Sequence, residues 1–126
     1  DLGRDLDELQ TVTLVNAAIS TSGDSRRYLE LDGVRYSHIV SPRTGLGLTE
    51  RIGASVIAPD ATTSDSYATA VVLLGAKEGL QFIKNQRGIE CQIITLHQGR
   101  EVFTRSDGFL QFQGKNRPKE SPLAAP

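Results

Sequence analysis

An α+β fold, a mainly antiparallel sheet backed by two helices, is what this sequence predicts. Three observations carry that reading. Alternating β-branched segments fill the first half, a helical period appears in the middle, and short alternating segments return afterwards. Strands, then helices, then strands, with two-residue turns between neighbours, give antiparallel pairing and not a wound parallel sheet.

Taken in order, residues 1–10 are polar and acidic and read as an irregular lead-in or a short helix. Thr11 to Ser20 (TVTLVNAAIS) reads as a buried strand, and Thr21 to Arg26, with Gly23-Asp24, as a loop or bulge. Arg27 to Leu31 and Val34 to Val40 alternate around Asp32-Gly33, a dipeptide suited to the positive φ angles of a tight hairpin. Ser41 to Gly47 (SPRTGLG) is a loop with a tightly specified backbone, because Pro fixes φ and Gly supplies left-handed positions. Ser55 to Ala58 is strand, ended by Pro59.

From Ala61 the period changes. Tyr67, Ala70, Val71 and Leu74 recur at helical spacing, and Thr62 with Asp65 offers an N-cap and capping box. Gly75 and Gly79 divide the run into expected helices at about 63–74 and 77–86, stopped by Gly88. Ile89 to Leu96 is strand, Gln98-Gly99 turns, and Glu101 to Arg105 and Phe109 to Phe112 are expected as short strands. Residues 114–126, with three prolines and several charges, read as a tail unable to bury enough surface to order itself, so the domain is expected over 1–113.

Composition narrows the function. The 126 residues suit one domain, with 38% hydrophobic and 23% charged residues and a net charge of −1. No basic stripe is present, so nucleic acid is not an expected partner. Cys91 is the only cysteine, which excludes an internal disulfide, and its alternating apolar setting makes it a small buried hydrophobe. Asp1-Leu2-Gly3-Arg4-Asp5 has no features of a signal peptide and the chain has no Met, so it reads as a piece of a longer polypeptide. There is no GxGxxG, P-loop, Cys/His metal cluster or GxSxG elbow.

Three segments offer chemistry. His38 ends a hairpin strand beside the constrained loop, where a proton acceptor on a rigid edge would sit, although such a His is more often an ordinary polar residue. In that loop Arg43 has the planar fork that pairs with phosphate, or is merely solvated. Asp65 and Thr69 lie four apart at a helix start, so their oxygens share a face; they form a hard-oxygen pair of the kind magnesium accepts, or else a cap and a back-bonded hydroxyl. Ser20 to Asp24, including Ser22 and Gly23, is a polar strand end able to approach a ligand, or an ordinary turn. His97 precedes a turn and reads as surface.

In this order the segments resemble the C-terminal half of the ApbE family, the FAD:protein FMN transferases. The resemblance rests on AAISTSGDSRRYLELDGVRYSHIVSPRTG (Ala17 to Gly45) and SVIAPDATTSDSYATAVVLLG (Ser55 to Gly75), and more weakly on IECQIITL. It implies a T-fold-like arrangement and a reaction in which an acceptor Ser or Thr hydroxyl attacks the FMN-side phosphorus of FAD and AMP leaves. It further implies Asp65 and Thr69 as Mg²⁺ ligands, His38 as the catalytic residue, and Ser22, Gly23, Arg43, Thr44 and Gly45 around the flavin or pyrophosphate. The partners implied are FAD, an acceptor flavoprotein and the N-terminal half of the same fold, which in the family supplies most FAD contacts and a further metal ligand. An exported or membrane-anchored location is implied by analogy. Hydrolysis of FAD to FMN and AMP, or a non-catalytic flavin-binding or partner-binding role, are the alternatives. Two departures stand out: Ser41 replaces the Asp of the usual His-Ile-Ile-Asp-Pro-Arg-Thr-Gly loop, and Ser64 replaces the common Ala before Asp65.

Overall fold

The computed structural model describes residues 11–24 and 27–114. Among these residues six strands and one long helix follow one another: β1 (Ala18–Gly23), β2 (Tyr28–Leu31), β3 (Val34–Ser37), β4 (Ile52–Ala58), α1 (Ala61–Lys84), β5 (Glu90–His97) and β6 (Arg100–Arg105), with a short 3-10 helix at Phe109–Phe112. The main sheet runs β1-β4-β5-β6, antiparallel at every step, while β2 and β3 form a separate two-stranded hairpin. The α+β class and the antiparallel sheet are therefore as expected.

Residue alternation decides what each face of the sheet does. Ala54, Val56 and Ala58 of β4 and Cys91 and Ile93 of β5 form one buried cluster with Ala68, Val71, Val72 and Ile83 of α1. Val56 and Val71 are wholly inaccessible, and each such side chain contributes about 1.5–3 kcal/mol relative to exposure. The opposite face, carrying Thr21, Gly23, Gly53, Ser55 and Ile94, stays partly open.

The two helical segments expected on either side of Gly75 are both present, joined into one element without an intervening loop. Gly75 sits at φ 82, ψ 173, outside the helical region and in a conformation that essentially only glycine adopts. Across this kink Gly79 packs on Val71; a Cβ at residue 79 would come within 2.9 Å of the Val71 carbonyl oxygen. Tyr67 and Phe82, one from each segment, stack with ring centroids 5.1 Å apart.

The structure corrects four local expectations. Strand does not run from Thr11 to Ser20: Asn16 takes a left-handed φ of 52°, and β1 starts at Ala18. Residues 11–13 instead bond to the chain's far end, Thr13 N–H to the Phe112 carbonyl (2.9 Å) and Gly114 N–H to that of Thr11 (2.8 Å). The expected loop at Thr21 to Arg26 is strand through Gly23, because its hydroxyls find partners across the sheet and on the helix; residues 25 and 26 lie outside the described residues. The helix cap is Asp60, not Thr62: its carboxylate accepts from the Thr63 N–H and hydroxyl, both at 2.8 Å, so the capping box with Asp65 does not form. These bonds hold the Asp60 carboxyl below its ordinary pKa. Phe109 to Phe112 is not strand. Glu90 captures the Gly108 N–H (3.0 Å), and successive three-residue bonds from Phe109, Gln111 and Gln113 wind a 3-10 turn that buries Phe109.

Helix α1 ends at Lys84, and Gly88 (φ 75) shapes the turn into β5. The readings of residues 1–10 and of the tail beyond Gly114 fall outside the described residues. Among the described residues no helix is long and apolar enough to cross a membrane.

Candidate functional site

The hairpin forms as its turn chemistry requires: Asp32 (φ 50) and Gly33 (φ 76) both take left-handed angles, and Leu31 pairs with Val34. It delivers His38 just past β3, exposed, with its backbone N–H and its ring Nδ1 both on the Arg27 carbonyl, at 3.2 and 3.1 Å. A carbonyl only accepts, so Nδ1 carries a proton, and in the neutral imidazole the lone pair is then on Nε2.

The loop after His38 is tied at several points. Ser41 N–H bonds to the Leu46 carbonyl (2.9 Å), Gly45 N–H to the Ser41 carbonyl (2.8 Å), and the Ser41 hydroxyl accepts from Arg43 N–H (3.3 Å). Serine thus organises this loop through its own hydroxyl where Asp is usual. Gly45 takes a φ of 69°.

On the other side, β1 and the start of α1 are joined by hydroxyls. Ser20 Oγ lies 2.7 Å from Ser64 Oγ, and Ser22 Oγ lies 3.2 Å from Thr69 Oγ1. A hydroxyl at residue 64 therefore grips the strand, which an alanine there could not do. Asp65 is exposed, one helical turn before half-buried Thr69, and among the described residues its carboxylate has no hydrogen-bond or ion-pair partner.

Beyond Gly23, Asp24 is buried and meets Arg35 of β3. Arg35 donates from its terminal nitrogen to the Asp24 carbonyl, its Nε lies 3.4 Å from the Asp24 carboxylate, and its guanidinium sits 3.6 Å from the centre of the Tyr28 ring. This contact docks the hairpin on the end of β1.

A cavity of about 550 Å³ opens between these parts, on the sheet face away from α1, within the usual range for small-molecule sites. Ser22, Gly23 and His38 line it, so three of the residues expected from sequence come together. Thr69 is tied to that group through Ser22. Arg43, Thr44 and Gly45 stand exposed on the neighbouring loop and are not among the lining residues; nor are Asp65 and Thr69. Asp24, the last residue of the polar segment expected to approach a ligand, lines the cavity too, and so do Arg27, Arg51, Gly53 and Glu101, which sequence reasoning did not single out. The one signal that could have found Gly53 is a glycine within an otherwise β-branched and small apolar strand. Among the described residues no three His, Cys, Asp or Glu side chains cluster as a metal site.

Comparison with known proteins identifies the family. The family model described as "ApbE family" matches residues 2–93. The FAD:protein FMN transferase of Vibrio cholerae is 44% identical over 99 residues, 78% of this chain and 29% of the relative. The enzyme of the same name from Escherichia coli K12 is 36% identical over 89 residues, 69% of this chain and 25% of the relative. Among solved structures, the Pseudomonas stutzeri flavinyl transferase ApbE in its apo form superimposes with a TM-score of 0.68 at 31% identity, covering 84% of this chain and 34% of that one. The ApbE protein of Thermotoga maritima gives 0.70 at 34% identity, covering 82% and 33%. The chain thus spans less than a third of those two curated relatives, and about a third of the two solved structures. On the family match and these identities, the chain belongs to the ApbE family.

Proposed function

We propose that this chain is the part of an FAD:protein FMN transferase that carries the proton acceptor and the metal-side oxygens. The observation that supports it most is His38: its Nδ1 is committed to the Arg27 carbonyl, and the residue lines the same cavity as Ser22 and Gly23.

In this reading Nε2 of His38 takes the proton from an acceptor Ser or Thr hydroxyl. The freed oxygen forms a bond to the FMN-side phosphorus of FAD, the bond from that phosphorus to the bridging oxygen breaks, and AMP leaves with the bridging oxygen. The Arg27 carbonyl holds the ring in one tautomer and accepts a hydrogen bond from Nδ1–H throughout, so the imidazolium formed remains oriented. Ser22 ties Thr69 to the cavity rim, and Asp65 presents its carboxylate one turn earlier.

The residues fit a magnesium ion by donor chemistry, an exposed carboxylate unpaired among the described residues and a hydroxyl four positions on, with water and substrate oxygens left to complete six ligands. Magnesium bound there would offset charge on the pyrophosphate and on the departing AMP. The remaining FAD contacts would come from parts of the polypeptide that the longer relatives possess.

The test uses the complete polypeptide that contains these residues, with FAD, Mg²⁺ and a candidate acceptor, following AMP release and acceptor mass. His38→Ala should slow FMN transfer by about 10²–10⁴-fold, the usual range for a general base. Asp65→Asn should raise the Mg²⁺ concentration needed for half-maximal rate. AMP without acceptor modification would instead indicate hydrolysis. Full activity in both variants would remove the chemical roles given to these residues.

A further inference from the structure

Gly53 lies in the middle of β4, where a glycine weakens pairing and leaves a gap on the sheet surface. Its partner across the ladder is Gly23, so two adjacent strands present bare backbone side by side. The two glycines have different reasons to be there. A Cβ on Gly23 would approach the Gly53 Cα to 3.0 Å and the Ile52 carbonyl oxygen to 3.1 Å, so close approach of the strands explains it. A Cβ on Gly53 would meet nothing nearer than the Ser22 carbonyl oxygen at 3.7 Å, an ordinary contact, and Gly53 does not have a positive φ. Nothing in the described fold asks for glycine at this position. What a side chain there would do is stand up into the cavity that Gly53 lines.

The surroundings of that bare patch have a definite chemical character. On the same sheet face, Thr21 and Ser55 form the adjoining pair, their hydroxyls 2.8 Å apart. Ile94 of β5 is the ladder partner of Gly53 on its other side and lines the cavity as an apolar wall. The charged residues of the lining are two cations, Arg27 and Arg51, and two carboxylates, Glu101 and Asp24, the last of them facing Arg35.

From this we infer that Gly53 is a clearance residue: its missing side chain leaves a flat backbone floor against which the planar heteroaromatic ring of the flavin nucleotide lies. The inference rests on the flavin reading above and adds to it a specificity-determining position. A flat floor two strands wide, one apolar wall and neighbouring hydroxyls accept the face and edge of a ring system. The two arginines of the lining suit the phosphate joined to it.

Stability and binding should therefore move in opposite directions when a side chain is added. In the complete polypeptide, Gly53→Val should raise the unfolding midpoint, since a β-branched residue suits a strand interior better than glycine. The same variant should weaken FAD binding, read by titration of flavin fluorescence, by about tenfold or more, the usual result of forcing extra methyl groups into a filled contact. Gly53→Ala should lie between the parent and the valine variant on both scales. A valine variant that binds FAD as tightly as the parent would overturn the inference and leave the flavin reading standing. A valine variant that unfolds more easily than the parent would also overturn it, because the fold itself would then require the glycine. Failure of the parent polypeptide to bind FAD at all would remove the flavin reading and the inference together.

Discussion

Gly47 is where the loop after His38 presses on the hairpin. A Cβ on this residue would overlap the Ser37 carbonyl oxygen and come within 3.2 Å of both the Ser37 nitrogen and the Tyr36 Cβ. Two backbone bonds hold the segments together there, Ser37 N–H to the Leu48 carbonyl (2.8 Å) and Leu48 N–H to the Ile39 carbonyl (3.0 Å), and they bracket His38 on both sides. Gly47→Ala must push the strands apart far enough to lengthen both. At about 1 kcal/mol net for each bond, with both partly buried, the loss should be about 2–3 kcal/mol. Gly45→Ala is the comparison: a Cβ there meets nothing within 4 Å, but φ is 69°, so only the left-handed penalty of about 1–2 kcal/mol applies. Urea unfolding gives both values. Transfer activity under folded conditions should fall in Gly47→Ala far more than in Gly45→Ala, because only the first displaces His38. Equal losses of stability in the two variants, or full activity in Gly47→Ala, would show that this contact does not position the histidine.

Two further predictions follow from polar groups away from that loop. Cys91 is wholly buried, and burial pushes its thiol up from 9.0 to about 11. An unfolded chain releases that proton first, so the stabilisation is intact below about pH 9 and is lost as pH rises towards 11. A fall in unfolding midpoint over that window, absent in Cys91→Ala, together with no native-state alkylation at neutral pH, would bear this out. Arg35→Ala should leave the buried Asp24 carboxylate without its ion-pair partner and cost about 2–3 kcal/mol, the range for a lost charge-assisted bond. Arg35→Lys should recover only part of this, because an ammonium cannot both stack on Tyr28 and reach the Asp24 carbonyl; equal stability of the two variants would contradict that geometry.

Features decided by neighbours in sequence were legible in advance. The Asp32-Gly33 turn takes the positive φ angles its residue types favour, Gly99 does the same, and Gly75 interrupts the helix between the two expected segments. What depended on distant partners was not. The string Ser20-Thr21-Ser22 looks like a turn until the hydroxyls of Ser55, Ser64 and Thr69, each more than thirty residues away, are opposite it. Phe109 to Phe112 alternates like a strand, but Glu90 had already fixed Gly108 in a turn. Thr62 reads as the cap from its spacing to Asp65, yet the carboxylate that accepts from Thr63 is that of Asp60. In the cavity, His38, Ser22 and Gly23 carry side-chain or glycine signals that sequence displays. The Arg27 carbonyl is a main-chain group and cannot be displayed, and the pairing of Gly53 with Gly23 exists only once β1 and β4 are in register.

That register makes β1 a wall shared between two rooms. Its even residues, Ser20 and Ser22, hold the helix, while its odd ones, Thr21 and Gly23, face the cavity. One residue inserted before Ala18 can be absorbed in the irregular segment that contains Asn16. The same residue inserted within β1 would turn part of the wall around, sending a cavity side chain into the helix contact and a helix-gripping hydroxyl into the cavity. Length is therefore constrained more tightly than composition along these six residues: a swap of one hydroxyl residue for another is a local event, while a single-codon insertion or deletion unsettles the helix grip and the ligand face at once.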